Sequence, residues 1–393
     1  MKTGWQQTTL GAVAQVGAGN SAPQGETHFS DGVYPFFRTS DAGRIRFGDI
    51  TKSTDKLNEK GIEGLRKFPA GTILFPKSGA STFLNHRVMM TVDGYVSSHL
   101  ATIVGDESKV DRRFLLYFLG TVSAQDLVQD HAYPSLNLPL ISGIPIFLPP
   151  LPEQHRIVAL LDEAFNGIAT ARANAEKNLH NARALFESHL QSVFAQPGEG
   201  WITRRVSEVA KHSLGKMLDK AKNKGDLQPY LRNMNVRWFE FDLSDLLEMP
   251  FLPTEAEKYT AVKGDILICE GGYPGRAAIW DEDYPIHFQK ALHRVRFHEP
   301  EHNKWFVYFL YAQDKAGELK KHFNGAGIQH FTGEGLARFE VPLPPLPQLR
   351  RAVEKFDALA AETQRLESLY QRKLAALDAL KQSLLHQAFS GAL

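Results

Sequence analysis

Cysteine is almost missing. The 393 residues hold one, Cys269, so neither a disulfide framework nor a cysteine-based zinc cluster organises the chain. Long hydrophobic runs are missing too: none approaches the roughly 18 apolar residues of a membrane-spanning helix, and the opening Met1-Lys2-Thr3-Gly4-Trp5 has no apolar signal stretch. The expected location is the cytoplasm. Nor is there an excess of either charge. Forty-five Lys and Arg stand against 44 Asp and Glu, a net +1, so bulk charge predicts no polyanion partner and any nucleic-acid binding has to rest on local patches. Residues 1–150 count 14 basic against 13 acidic, and residues 198–342 count 20 against 21. With 43% hydrophobic and 23% charged residues the chain is an ordinary globular one. At roughly 150 residues per domain its length fits two or three units.

Catalytic signatures are sparse. The Pro-Pro pairs are flanked by Leu, so the Asn/Asp-Pro-Pro-aromatic motif of an amino-group methyltransferase is missing, and no Gly-x-x-x-x-Gly-Lys-Ser/Thr nucleotide loop occurs. Gly17-Ala18-Gly19 and Gly325-Ala326-Gly327 read as turns. His287, His293 and His298 cluster loosely without paired acidic ligands, which favours ordinary strand or loop histidines over a metal site. Asp265, Glu270 and Lys290 resemble parts of a nuclease core. Their spacing is wrong, because Glu270 is followed by Gly-Gly where Glu-x-Lys is needed, and the expectation is a solvated turn before a buried strand.

What the chain does contain is itself, twice. Leu148-Pro149-Pro150-Leu151-Pro152 recurs as Leu343-Pro344-Pro345-Leu346-Pro347, an offset of 195 residues. The same offset carries Arg156, Val158, Asp162, Leu190 and Phe194 onto Arg351, Val353, Asp357, Leu385 and Phe389. Trp5, Leu10, Val13 and Ala14 map onto Trp201, Val206, Val209 and Ala210. Phe36-Phe37-Arg38 matches Tyr230-Leu231-Arg232, Gly71-Thr72-Ile73-Leu74 matches Gly264-Asp265-Ile266-Leu267, and Phe114–Leu119 matches Trp305–Leu310. Each half opens with a mixed segment of about 145 residues, rich in Gly, Pro and β-branched residues. Thr72–Phe75, Ile266–Ile268 and Leu292–Phe297 read as strands, Arg112–Leu119 and Asn303–Tyr311 as short helices.

After each Pro-rich hinge comes a Pro-free stretch. From about Glu153 to Ala195, apolar residues recur at steps of four and three: Leu161, Phe165, Ile168, Ala175, Leu179, Ala182, Phe186 and Val193, interrupted by Arg172 and His189. Gln348 to Phe389 repeats the pattern with Leu359, Leu366, Tyr370, Leu377, Leu380 and Leu384. This heptad spacing predicts two helices of about 40 residues, each about 60 Å long, that seek a helical partner. The economical solution is that they pack on each other, antiparallel; docking onto other proteins or self-association are the alternatives. The resulting fold class is α+β: two similar α/β domains joined by a two-helix antiparallel coiled coil with pseudo-twofold symmetry. The segments are 1–150, 151–197, 198–342 and 343–393. A two-headed object with twofold character suits duplex DNA, whose symmetry is similar.

Hinge and helices together resemble the specificity subunit of a type I restriction-modification system, whose target-recognition domains each end in a Leu-Pro-Pro-Leu-Pro-x-Gln-type motif that enters a long helix. The first copy here reads Leu148 to Gln154, LPPLPEQ. The second reads LPPLPQL and departs at Leu349, where the first has Gln154. The helix ends, Leu190–Gln196 and Leu384–Leu393, and the glycine-rich Phe323–Phe331 also resemble the family, whereas His131–Leu138 departs from it. The resemblance implies a DNA-sequence-specificity subunit without catalysis or cofactors of its own. It implies a bipartite, asymmetric target in double-stranded DNA, with one half-site per recognition domain and a spacing set by the helices. It implies two methylation subunits that carry S-adenosylmethionine, and restriction subunits that use ATP and magnesium. A self-sufficient methyltransferase-endonuclease and a coiled-coil scaffold without DNA readout remain the alternatives.

DNA contacts need donors: Arg and Lys for guanine and phosphate, Asn and Gln for adenine. The polar loops that flank the strands supply candidates. In the first half these are Arg38, Thr39, Ser40, Lys77, Ser78, Ser135 and Asn137. In the second half they are Arg232, Asn233, Asn235, Arg237, Tyr273, Arg276, Gln289, Lys290, Gln329 and His330. Gly271-Gly272 before Tyr273 lets the backbone approach a phosphate or base closely. Glu163, Arg172, Glu176, Lys177, Arg183 and Glu187 on the first helix, with Lys355, Glu362, Arg365, Glu367 and Arg372 on the second, are expected on outer faces open to partner subunits. Leu385, Phe389 and Gly391-Ala392-Leu393 are apolar for a chain end and are expected to pack on the first domain or on a partner.

Overall fold

A computed structural model describes residues 4–128, 134–219 and 223–393. Two compact units divide the chain, one of residues 1–174 with 373–393, the other of residues 175–372. The boundary therefore falls inside both long helices, Leu151–Ala195 and Leu346–Ser390. Each unit takes the first part of one helix and the last part of the other.

The first unit is built on a five-stranded sheet ordered Ala14–Ala18, Leu100–Gly105, Ile73–Pro76, Arg87–Met90 and Phe47–Ile50. Only the last pair is parallel. A smaller sheet sets Tyr34–Phe37 between Asp55–Leu57 (antiparallel) and Tyr95–Val96 (parallel). The second unit repeats the plan. Ala210–Leu214, Leu292–Phe297, Ile266–Cys269 and Ala277–Ile279 form an antiparallel four-stranded sheet. Asp226–Leu231 lies between Leu247–Phe251 (antiparallel) and Ile286–Phe288 (parallel), with Thr260–Ala261 at the edge. Ile73-Leu74-Phe75 and Ile266-Leu267-Ile268 are continuous apolar runs because both their faces are covered; all six residues are buried. Gly71 and Gly264 precede these strands at φ +90° and +93°, a left-handed turn that costs glycine no Cβ clash.

Each unit is closed by its ends. Gln6–Thr9 pairs with Pro145–Leu148, and Ile202–Arg205 with Glu340–Leu343, so the start of each domain is tied to the strand that runs into the hinge. At the hinge, the Pro150 carbonyl accepts from the Glu153 and Gln154 amides, and the Pro345 carbonyl from those of Gln348 and Leu349. The departure at Leu349 has a physical reading. Gln154 is buried and spans a gap, accepting from the Asp111 amide (2.8 Å) and donating to the carbonyls of Lys109 (2.9 Å) and Pro149 (2.8 Å). Leu349 fills the same place with apolar contact in the core of the second unit.

The short helices extend a little beyond the expected spans, Arg112–Thr121 and His302–Lys315. Both anchor a long helix through an aspartate that the repeat aligns. Tyr117 donates to Asp162 in the first unit, and Tyr308 to Asp357 (2.7 Å) in the second. Beside them, Arg113 and Lys304 reach the same carboxylates.

Within the units the long helices run antiparallel. In the second, Phe194 meets Phe356 and Arg183 meets Glu367; in the first, Arg172 meets Asp378. The two irregular positions of the heptad stripe are thereby explained, since Arg172 is ion-paired and His189 sits edge-on to Phe356. Ala175 and Ala182 are buried, and small residues let the backbones approach. Several of the charges expected on outer faces are paired there while staying partly exposed. Arg172, Arg183 and Glu367 bridge helix to helix, and Glu187 accepts from the Tyr311 hydroxyl (2.9 Å) and pairs with Lys315. The apolar chain end packs on the first domain: Phe389 lies edge-on to Phe114 and Phe118, beside Leu385 and Ala388.

Candidate nucleic-acid interface

The candidate loops hang from a backbone frame that is the same in both units. In the first, the Lys77 amide donates to His99 O (3.0 Å), Ser97 N to Phe37 O (2.9 Å) and Leu136 N to Lys77 O (2.8 Å). In the second, Glu270 N donates to Ala291 O (2.9 Å), Gln289 N to Leu231 O (3.1 Å) and Phe331 N to Glu270 O (2.8 Å). Gly19 N bonds Leu100 O, as Gly215 N bonds Leu292 O. A Cβ on either glycine would sit 2.3 or 2.2 Å from the carbonyl of Ser97 or Gln289, so the approach is possible only for glycine. Five segments thus converge in each unit, and none of these bonds uses a side chain.

In the second unit this frame encloses a cleft of about 340 Å³ lined by Asn233, Glu270, Gly271, Gly272, Gln289, Lys290, Ala291 and His330. Of the candidate residues, Asn233, Gln289, Lys290 and His330 meet here. Asn233 donates to Gly271 O (3.1 Å), and Gly272 has φ +78°, with the Asn233 amide nitrogen 2.3 Å from where a Cβ would stand. Arg276 lies beside them, over the Tyr273 ring (5.1 Å) and donating to Asn233 O (3.0 Å). The Tyr273 hydroxyl donates to Asp314, and burial together with that carboxylate raises its pKa above the ordinary phenol value. Gln329 is exposed on the hairpin closed by Asn324 and His330.

Other candidates make bonds within the fold. Asn235 is buried; its side chain accepts from the Arg232 amide (2.9 Å) and donates to the carbonyls of Asp242 and Asp245, which caps a turn. The Arg232 side chain is 14% exposed and held by Asp245 (2.7 Å). Arg237 pairs with Asp242.

The first unit brings Lys77, Ser78 and Ser135 together. Ser78 bridges Ser135, and Gly79 N bonds Pro134 O (2.9 Å). Of the segment His131–Leu138, the first three residues lie outside the described residues. Asn137 caps the helix Leu138–Ser142, accepting from Leu140 N (2.8 Å). Arg38 pairs with Asp55 and stacks on Phe36, while Thr39 and Ser40 open the helix Thr39–Ile45.

Sequence reasoning missed Ser97, Ser98 and His99, which occupy the frame positions of Gln289, Lys290 and Ala291. The match Leu100 to Leu292 could have located them; their side chains have nothing in common. It also misjudged Asp265. That carboxylate is buried, not solvated, and holds Arg296 through two bonds (2.6 and 2.7 Å) while accepting from Val262 N. Among the histidines, His293 is buried against Phe331 O and His287 stacks on Phe251. Among the described residues no group of three or more His, Cys, Asp or Glu is placed to hold a metal ion.

Two copies of one α/β frame, each presenting a set of polar side chains on loops, define a duplicated recognition protein. The type I restriction modification DNA specificity domain matches the chain twice, over residues 2–178 and 198–373, and the chain belongs to this family. It is 30% identical over 150 residues to the type I restriction enzyme EcoDI specificity subunit of Escherichia coli, 37% of this chain and 32% of that one. The chain thus spans about a third of that relative. Two solved structures share its fold. One, described as the structural basis of complex assembly and conformational transition of the type I R-M system, has a TM-score of 0.81 at 18% identity, covering 100% of this chain and 99% of that one. The other is the HsdS subunit from Thermoanaerobacter tengcongensis, with a TM-score of 0.63 at 18% identity, covering 100% and 98%.

Proposed function

We propose that the chain is the DNA-specificity subunit of a type I restriction-modification complex, and that it performs no catalysis itself. Each specificity domain reads one half of a bipartite, asymmetric site in duplex DNA, and the long helices set the spacing. Two methylation subunits bring S-adenosylmethionine, and restriction subunits bring ATP and magnesium; the complex works in the cytoplasm. No helix among the described residues is long and apolar enough to cross a membrane.

The observation that carries this reading is the shared backbone frame with unlike side chains. Amides at Asn233 and Gln289 suit adenine, and Lys290 suits guanine or phosphate. The hydroxyls of Ser78 and Ser98 with Lys77 and His99 present a different pattern in the first unit. Neither domain is basic overall, so high affinity requires the methylation subunits to complete the grip on DNA; salt-insensitive nanomolar binding by the isolated chain would contradict that. The test is co-expression with the methylation subunit and genome-wide mapping of methyladenine. A gapped, bipartite motif that appears only with this chain supports the reading. A stable complex without any motif refutes it.

A further inference from the structure

A second site lies in the first unit, away from the reading loops. The turn at Arg46, the turn at Asn85 and His86, the end of the helix Arg112–Thr121 and the last part of the second long helix enclose a cleft of about 960 Å³. Arg46, His86, Lys381 and His386 line it, and among the described residues no Asp or Glu does. The carboxylates on the same elements are taken: Asp41 by Arg44, Asp49 by Arg113 and Asp378 by Arg172. Arg46 is exposed, and it holds φ +67° with ψ −54°, a tight-turn conformation that is rare for any residue with a side chain. The Lys381 ammonium rests on the rings of Phe47 (5.1 Å) and Phe165 (5.2 Å), which fixes it at the cleft wall.

Behind the wall is Arg87, fully buried. Its guanidinium lies 3.4 Å from the centre of the Phe75 ring and donates to the carbonyls of His86 (2.8 Å) and Val122 (3.3 Å), both from residues that line the cleft. Burial lowers its pKa to about 9, so it stays charged at neutral pH. Burial and the fields of Arg46 and Arg87 hold the His86 imidazole below its ordinary value. Burial also lowers Lys381; the field of Asp378 opposes that, but Arg172 holds this carboxylate and pushes the other way. The cleft wall is thus cationic without a carboxylate of its own, and concave sites with one sign of charge concentrate counter-ions.

We propose that this cleft is an anion site that takes phosphate groups, held by Arg46 and Lys381 with the two histidines beside them. The phosphate comes either from a free phosphate compound or from the backbone of a bound duplex, and the two are separable. The full-length chain is titrated with tripolyphosphate, and with a short duplex of arbitrary sequence over a series of salt concentrations. The variants are Arg46→Asn, which removes the guanidinium, and Lys381→Met, which keeps the stem on the rings. Lys263→Met, a surface charge paired with Asp283 in the other unit, is the control. For a free phosphate compound, tripolyphosphate binds and either variant weakens it roughly tenfold, while the control does not. For a backbone phosphate, duplex affinity falls alike for all sequences, and the slope against salt shrinks by about one per variant. Variants in the reading loops leave both results unchanged, so failure of sequence reading is distinguishable from failure of this site. If neither ligand responds to Arg46→Asn or Lys381→Met, the proposal is wrong.

Discussion

The two specificity domains agree where the backbone bonds to itself and differ where side chains face outward. Lys77–His99, Ser97–Phe37 and Leu136–Lys77 have counterparts in Glu270–Ala291, Gln289–Leu231 and Phe331–Glu270, with donor–acceptor distances that agree within 0.2 Å. Yet Lys77 stands where the other unit has Glu270, Ser98 where it has Lys290 and His99 where it has Ala291, while the buried Ser97 stands where it has Gln289. A frame held by main-chain bonds puts no demand on side-chain identity, so the presented chemistry changes without cost to the fold. Where side chains do hold the frame, the domains have found different solutions: Gln154 against Leu349 at the helix start, and Thr72 against Asp265 before the central strand.

That comparison can be broken at several points. The largest effect is expected at the helix ends. Phe194 is enclosed by Trp305, Phe309 and Phe356, so Phe194→Ala should cost about 3–5 kcal/mol, read as faster hydrogen exchange in residues 198–342 alone. Phe389→Ala, half-buried on Phe114 and Phe118, should cost less and act on the first domain. Truncation after Ser383 removes that packing altogether and should abolish complex assembly; unchanged co-purification would count against it.

A second difference depends on pH. His293 is buried, and burial lowers its pKa to about 4; the equivalent strand position in the first domain is Ala101. A histidine with a depressed folded-state pKa favours the folded state above pH 6.5 and loses that advantage as pH falls toward 4. The second domain should therefore lose on the order of 3 kcal/mol by pH 4 from this group, and His293→Gln should flatten the dependence in a pH series of unfolding curves. Next comes the turn before the central strand. Asp265→Asn leaves Arg296 without its carboxylate and should cost about 2–3 kcal/mol, whereas Thr72→Val, which removes one bond to Pro69 O, should cost about 1 kcal/mol by denaturant titration. The smallest contrast is at the loop glycines. Gly79 (φ +74°, ψ −174°) has open space where a methyl would go, so Gly79→Ala costs only backbone strain, about 1–3 kcal/mol. Gly272→Ala must also displace Asn233, and it should weaken reading of one half-site while Gly79→Ala leaves that half intact.

Much of this architecture was legible in the sequence. The hinge repeat and the heptad spacing placed both long helices to within a few residues, because proline and a regular apolar stripe are local signals. The repeat also aligned Asp162 with Asp357, though their part in anchoring the helices shows only through the partners Tyr117 and Tyr308. The site was less legible. Arg232 and Asn235 look like DNA donors in a polar loop, but the loop folds back on them as caps and ion pairs. Ser97–His99 carry no signal in their side chains, and only the neighbouring match of Leu100 to Leu292 points to them; their place is set by bonds to Phe37 and Lys77, distant in sequence. Asp265 was misread because its partner, Arg296, lies on a neighbouring strand.

The central claim is that side chains on a common frame read separate half-sites. Its most direct test exchanges the two presented residues: Lys290→Ser and Ala291→His in one variant, Ser98→Lys and His99→Ala in the other, leaving the buried Ser97 in place. Each is co-expressed with the methylation subunit, and methyladenine is mapped. The account predicts that each exchange alters one half of the gapped motif and leaves the other half and the spacing unchanged. A change in both halves from a single exchange, or no change from either while methylation persists, would contradict it.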